Sequence, residues 1–413
     1  MSSQKKIVIG LFGFGVVGEG LYKVLQQTPS LNATIKKICI KDSTKKRNAP
    51  AEIFTTYKNE LLYDDEINVI VEVITESDAA FTIVRTALLN GKNVISASKK
   101  MIAENLTELL ILQQQTGCSL LYEAAACASI PVIRNLEEYY DNDLLRSVRA
   151  IVNGSTNFIL TKMFEEHLDF DNALQKAQQL GFAEADPLLD IQGYDALNKL
   201  VLLLNHSYGV VAKPGELVFN GITNIKACDA SFARENGYEI KLVAQAKKLS
   251  NGKVAAFVLP QYVKTSEQLA FVKNEYNGVV IESAFADRQF FYGKGAGSFP
   301  TASALLSDIA ALRYNYKYEY KKLYQQPAKL TDNFIINALI SFDDVNLLPS
   351  YIKENGEKIE SGDGNSFIKI RLPFQQIREA DWWKNSGISF ILLPDAVEEN
   401  KSQSGVKSAM EYA

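Results

Sequence analysis

The stretch Gly181–Lys199, GFAEADPLLDIQGYDALNK, gathers Glu184, Asp186, Asp190, Asp195 and Lys199 into one short segment. Asp195 and Lys199 stand four apart at the start of a helical pattern whose next residues, Leu200–Leu204, are all apolar. A buried helix with an ionisable first turn aims that turn at a cleft. There a lysine can deliver a proton and carboxylates can hold an ammonium group. The same spacing also describes an ion pair on an exposed helix, worth about 0.2–0.5 kcal/mol. With only His167 and His206 in the chain, a histidine-rich metal site is excluded and lysine is the available general acid.

The elements that must position this segment begin with an apolar run, Lys5–Phe12, of strand length. It leads into Gly13-Phe14-Gly15-Val16-Val17-Gly18 and then a helical pattern with Val17, Leu21, Val24 and Leu25 on one face. Strand, G-x-G-x-x-G and helix in that order is a dinucleotide-binding arrangement. Gly13 allows the tight turn, Gly15 lets a pyrophosphate approach, and Gly18 lets helix and strand pack closely. A second strand, Thr34–Ile40, ends in Lys41-Asp42, with Lys45, Lys46 and Arg47 behind it. An acid here would bind the ribose hydroxyls of NAD and a cationic cluster the 2′-phosphate of NADP. Both are present; the cluster leans towards NADP, and a solvated basic turn is the alternative.

Further strands at Ile67–Ile74, Asn93–Ala97 and Ser119–Glu123 alternate with helices at Phe81–Leu89 and Glu104–Gln115, which predicts a parallel sheet covered on both faces. Thr75 and Ser96–Lys100 then fall at strand ends, where nicotinamide and substrate would meet. Ile130-Pro131 opens another helix. After a strand at Val148–Asn153, the polar turn Asn153–Asn157 opens the apolar helix Phe158–Phe164, and a helix at Asn172–Leu180 leads into the Gly181 segment.

Composition narrows the classes. At 413 residues the chain calls for two or three domains, and 47% apolar with 22% charged residues is ordinary globular content. A net charge of −4 gives no electrostatic case for nucleic acid, and no apolar stretch has membrane-spanning length. The N-terminus does not read as a signal peptide, and Cys39, Cys118, Cys127 and Cys228 form no C-x-x-C pair, which suits reduced cysteines in a cytoplasmic protein.

Over roughly residues 5–315 the chain resembles homoserine dehydrogenases. The resemblance is carried by GFGVVG at 13–18, SASKK at 96–100, YEAAACASIP at 122–131, NGSTNFIL at 153–160, the 181–199 segment and GKGAGSFPTASALLSD at 293–308. It implies NAD(P)-dependent interconversion of L-aspartate 4-semialdehyde and L-homoserine, in threonine and methionine biosynthesis. By position, Lys199 would be the proton donor and Lys99 a second essential lysine beside cofactor and substrate. Glu184, Asp190 and Asp195 would bind the amino acid, while Gly181 and the Gly295–Gly297 turn would line the cofactor. A monovalent cation, Na or K, would sit on carbonyls of Glu123, Ala126, Ala128 and Ile130. The resemblance also implies a homodimer or larger homo-oligomer, and the monofunctional form without a fused kinase. Ala128-Ser129 stands where the family has Gly-Gly, Ser98 where it has Asn, and Ser155 where it has Thr.

The expected architecture is therefore α/β. A Rossmann-type domain at 1–130 is completed by 296–315, and an α+β open-sheet substrate and dimerisation domain spans 131–295. Within the latter, Gly237–Leu249 reads as an amphipathic helix, followed by strands at Val254–Leu259 and Val279–Ser283. Tyr314–Leu323 reads as an edge strand or linker. Residues 325–395 read as a small β-α-β-α-β unit, a degenerate ACT-like domain lacking the D-x-P-G-x-L entry, and 396–413 as a disordered tail. Two other functions remain open. A phosphorylating semialdehyde dehydrogenase needs an activated cysteine, for which Cys127 in an alanine-rich loop is a poor candidate. A nucleotide-sensing regulator would have no reason to keep both lysines and the acids.

Overall fold

The computed structural model describes residues 6–141, 144–360 and 366–399. Its first layer is a six-stranded parallel sheet of β1 (Ile7–Phe12), β2 (Ala33–Cys39), β3 (Phe54–Thr55), β4 (Val69–Glu72), β5 (Asn93–Ser96) and β6 (Leu120–Leu121). The spatial order is β3-β2-β1-β4-β5-β6, the doubly wound order of dinucleotide-binding sheets. Ile9, Leu11, Ile70, Val71, Val94 and Ile95 are fully buried, as expected of strands covered by helices on both faces. Helix Ser298–Leu312 returns to this layer. Ser298 Oγ donates to Val16 O at 2.8 Å, and Gly20 lies so close to Ser298 that a Cβ there would overlap it.

The second layer is a mixed sheet of β7 (Leu145–Ile151), β8 (Val218–Phe219), β9 (Tyr238–Lys248), β10 (Val254–Lys264), β11 (Tyr276–Ser283), β12 (Arg288–Lys294), β13 (Phe334–Phe342), β14 (Glu357–Glu360), β15 (Ser366–Pro373) and β16 (Ile388–Glu399). Its order is β12-β11-β7-β9-β10-β16-β13-β15-β14, with β8 beside β10. The C-terminal strands therefore extend the substrate sheet, through a single parallel pairing of Gln261 with Leu392. Within the C-terminal unit the element order is β-α-β-β-α-β and the strand order β16-β13-β15-β14, a ferredoxin-like topology. It contains one strand, β14, beyond those expected.

The segment Gly237–Leu249 is not a helix. It is β9, paired along its length with β10 and over 147–150 with β7. Ile240, Leu242, Ala244 and Ala246 join the main core on one face. On the other face Glu239, Lys241 and Gln245 are also buried, next to Val243 and the covering loop residues Leu269, Ala270 and Val272. The run Glu239–Lys247 alternates polar and apolar residues except at Val243, which is the strand signal; with Val243 breaking the alternation, its apolar positions satisfy a 3.6-residue period as well.

Smaller differences are local. Glu123 starts a short helix, Glu123–Cys127, rather than ending a strand, and helix Lys99–Thr116 begins five residues before the expected Glu104. Tyr314–Tyr320 contains no strand. It is a linker whose Tyr318 and Tyr320 are buried against Tyr122 and His206, with a short helix, Lys321–Gln325, after it. Ala396–Glu399, expected in the tail, belong to β16. Lys5 and residues 400–413 lie outside the described residues.

Ala128 has φ +44° and ψ −109°, a backbone conformation that an L side chain enters only with strain. Ala128→Gly should therefore stabilise the protein by about 1 kcal/mol, read as a higher urea midpoint with an unchanged slope. An unchanged or lowered midpoint would show that the turn is not strained.

Candidate active site

Two lysines converge on one carboxylate. Asp195, in the first turn of helix Tyr194–Tyr208, lies 2.8 Å from Lys199 Nζ through Oδ2 and 2.8 Å from Lys99 Nζ through Oδ1. Gly193, at φ +88°, starts that helix, and Asn220 presses so closely on it that only glycine is comfortable there. Lys199 also donates to Val152 O at 2.6 Å, just beyond the end of β7. Asp195 and Lys199 are buried, whereas the Lys99 side chain is 42% exposed, so the cleft opens on the Lys99 side.

The electrostatics follow from that geometry. Burial alone would push the Asp195 carboxyl up, but Lys199 and Lys99 outweigh it and hold the group well below the usual carboxylate range. Asp195 raises the pKa of Lys99 against burial, and Asp190 and Glu184 add to the effect. Lys99 is thus a full positive charge, and Asp195 a full negative one, at neutral pH.

Asn153 holds the acids together. As N-cap of helix Gly154–Glu165, its Oδ1 accepts from Thr156 N at 2.8 Å, which leaves Nδ2 to donate to Asp190 Oδ1 at 2.7 Å and Asp195 Oδ2 at 2.9 Å. Ser155 Oγ reaches Phe182 O at 2.6 Å and ties the same turn to the Gly181 loop. Glu184 and Gly181 are exposed at the rim, and Asp186 accepts from Leu188 N at 3.3 Å within its own loop.

The cofactor elements lie across the cleft. Gly13 (φ +97°) closes the turn after β1, and a Cβ on Gly18 would overlap Gly13 O, whereas Gly15 has open space before it. A glycine cradle open only at its middle residue fits a pyrophosphate approaching the helix N-terminus. Phe14 packs edge-on against Tyr22 and Phe54, Val16 is exposed, and Val17 is partly buried. Lys41 is exposed and paired with Glu76 at 2.8 Å; Asp42 accepts from both Thr44 N (2.8 Å) and Thr44 Oγ1 (2.6 Å). Thr75 is exposed beyond the end of β4, and Gly297 (φ +114°) caps helix Ser298–Leu312.

Other ionisable groups are held within the fold. The Glu123 carboxylate accepts from Ile133 N at 2.8 Å and Arg134 N at 2.9 Å, so only its carbonyl remains for a cation. Among the described residues no group of histidine, cysteine and acidic side chains could hold a metal. His206 is buried between Glu137 (2.7 Å) and Tyr122 (2.8 Å), where it joins helices rather than facing the cleft. Burial pushes the Cys127 thiol up to about 12, the opposite of the lowered value an activated nucleophile needs. Two side chains were not singled out from the sequence. One is Asn153, for which an asparagine opening a helix was the available signal. The other is Glu72, an acid at the end of an apolar strand.

Comparison with known proteins gives the family. Residues 13–123 match the model of the homoserine dehydrogenase NAD-binding domain, and residues 131–310 that of homoserine dehydrogenase. The Bacillus subtilis (strain 168) homoserine dehydrogenase is 35% identical over 323 residues, which is 76% of this chain and 74% of that protein. A homoserine dehydrogenase structure from Thiobacillus denitrificans superposes with a TM-score of 0.81 at 26% identity, covering 94% of this chain and 98% of its own. A hyperthermophilic archaeal homoserine dehydrogenase in complex with NADPH gives 0.66 at 28% identity, covering 76% of this chain and 99% of its own. With its two matching domains and a clustered pair of lysines about one aspartate, the chain belongs to the homoserine dehydrogenase family.

Proposed function

We propose that the cleft between the two sheets reduces L-aspartate 4-semialdehyde to L-homoserine, with Lys199 and Lys99 as its catalytic lysines. The observation that carries this reading is the shared aspartate: Asp195 bridges two ammonium groups at 2.8 Å each, one buried and one open to the cleft. The nicotinamide cofactor supplies the hydride when bound. Lys199 and Lys99 supply what the nascent alkoxide needs, a nearby positive charge and a proton. Glu184, Asp190 and Asp195 complement the substrate ammonium, and Asn153 keeps Asp190 and Asp195 side by side. Gly181 and Gly297, both in conformations suited to glycine, let the backbone approach the ligands.

The dinucleotide would lie along Gly13–Gly18, with Thr75 and Lys99 near its nicotinamide end. NADP is favoured over NAD because Asp42 is committed to Thr44, while Lys41 is exposed and paired with the exposed Glu76. NADPH oxidation by the purified chain with L-aspartate 4-semialdehyde tests the reaction; no turnover, or turnover that requires phosphate, would discard it. In the same assay Lys41→Ala should lower the NADPH-to-NADH preference several-fold, as expected for one exposed charge on a phosphate. An unchanged preference would remove Lys41 from the site.

A sodium or potassium ion would be held by the carbonyls of Glu123, Ala126, Ala128 and Ile130, a turn without a free side-chain ligand. Loss of thermal stability on exchange of K+ for a bulky organic cation is the corresponding check. A homodimer is proposed from the family alone, since the charges along the substrate sheet are paired within the chain, as Arg149 with Glu267 at 2.6 Å and Lys264 with Asp395 at 3.1 Å. Sedimentation at monomer mass would discard it. Among the described residues no helix is long and apolar enough to cross a membrane. A cytoplasmic location agrees with four free cysteines and is checked by cell fractionation.

A further inference from the structure

The molecule holds a second buried carboxylate at the mouth of the parallel sheet, apart from the lysine–aspartate centre. Glu72 is the last residue of β4 and is wholly buried. Its side chain turns back under the two strand ends. Oε1 accepts from Ile74 N at 2.7 Å and lies 2.9 Å from Ser98 Oγ, and Oε2 accepts from Ser96 Oγ at 2.5 Å. Ser96 Oγ itself accepts from Ser98 N at 3.1 Å, and Ser98 Oγ also reaches Ile74 O at 3.0 Å. Glu72 thus joins the turn that carries Thr75 to the turn that carries Lys99.

All these partners are neutral. Burial pushes the Glu72 carboxyl up, the three hydrogen bonds oppose that, and no cation contributes. The nearest catalytic cations are directed elsewhere, since Lys99 and Lys199 are both drawn onto Asp195 and Lys99 is also within the field of Asp190 and Glu184. A buried acid is ordinarily neutralised by a cation or discharged by protonation. Here donors are supplied and a counter-charge is not, at the strand ends where the cofactor ring is expected. A nicotinamide ring is neutral when reduced and carries one positive charge when oxidised.

We propose that Glu72 is held ionised by its donors and sets the redox poise of the bound nicotinamide: its carboxylate at the end of β4 favours the oxidised, cationic form over the reduced, neutral form and so assists aldehyde reduction. The inference rests on the nicotinamide placement given above. At an effective dielectric of about 20, a unit charge in the wall of the cleft is large enough to change a binding ratio tenfold or more. Hydrogen bonding alone would not discriminate between the two forms. A purely structural Glu72 would therefore affect both equally.

The test uses the full chain and binding rather than turnover. Dissociation constants of NADPH, by its fluorescence, and of NADP+, by competition, are measured for Glu72→Gln, with Glu72→Thr as a second neutral side chain. The NADP+ to NADPH affinity ratio should fall about tenfold in both. Ser98→Ala, which removes a hydrogen bond and no charge, and Glu72→Asp, which keeps the charge, should leave the ratio near that of the parent. Equal weakening of both forms, or an unchanged ratio, overturns the proposal. Thr75→Trp fills the expected ring position and should weaken both forms. If it weakens neither, the placement fails and the proposal with it. If it weakens both while the Glu72→Gln ratio is unchanged, the role of Glu72 fails alone.

Discussion

Lys199→Ala should lower aldehyde reduction about 10²–10⁴-fold, the range for loss of a positioned general acid, while NADPH affinity stays within a few-fold of the parent. Lys199 Nζ is fixed at two points, Val152 O at 2.6 Å and Asp195 Oδ2 at 2.8 Å, and the side chain is buried in the cleft wall. A water entering the alanine cavity would bring no positive charge to the developing alkoxide. Lys199→Arg should rescue little, because a guanidinium keeps its proton and its planar fork does not reproduce a point contact with a carbonyl. Steady-state kinetics with aspartate semialdehyde decide the matter. If turnover of Lys199→Ala stays within about tenfold of the parent, Lys99 alone supplies the proton and Lys199 is a structural cation.

Asp195→Asn should be nearly as damaging, and in two measurable ways. Catalytically, two ammonium groups held by one carboxylate would face each other across a neutral amide. Lys99, with 42% of its side chain exposed, can swing into solvent, whereas the buried Lys199 cannot. A fall in kcat/KM of about 10²-fold or more is expected, at the scale of one buried charge pair. Thermodynamically, breaking a buried pair from one side costs about 3 kcal/mol.

The pH dependence has a definite sign. Lys199 and Lys99 depress the folded-state pKa of Asp195 below the ordinary value near 3.9. Its contribution is therefore complete above about pH 4 and is lost as pH falls below that value towards the folded pKa. The parent protein should lose stability more steeply than Asp195→Asn in that acid window, as read by urea midpoints at successive pH. Parallel acid limbs would mean that the ion pairs are not formed in solution.

Where the sequence was legible, the signal was local. The dinucleotide-binding half could be read because its turn chemistry is written in consecutive residues. Gly13 needs a positive φ and Gly18 must leave room for Gly13 O, and both constraints act within one turn. The parallel strands were legible as short apolar runs because both their faces are covered by helices. In β9 the alternation of Glu239, Lys241 and Gln245 with apolar residues is present, but Val243 breaks it and lets the apolar positions fit a helix as well. The run was a strand because β7 and β10 were there to pair with it.

The same division holds at the candidate site. Spacing alone brought Asp195 beside Lys199, since residues four apart on a helix share a face. Nothing in that spacing could bring Lys99 to the other oxygen of the same carboxylate, or Asn153 to two acids from different turns. Those contacts join residues about 40 to 100 positions apart and exist only once two sheets and their helices have packed. Glu72 belongs to the same class, as an acid whose meaning depends on which donors surround it and on the absence of a cation among them. The sequence by itself determined the residue types, the glycine turns and the helix faces, because these are settled within a few residues. The tertiary structure alone decided which charges share a partner and which stay unpaired, because Coulomb interaction and burial depend on distance in space, not along the chain.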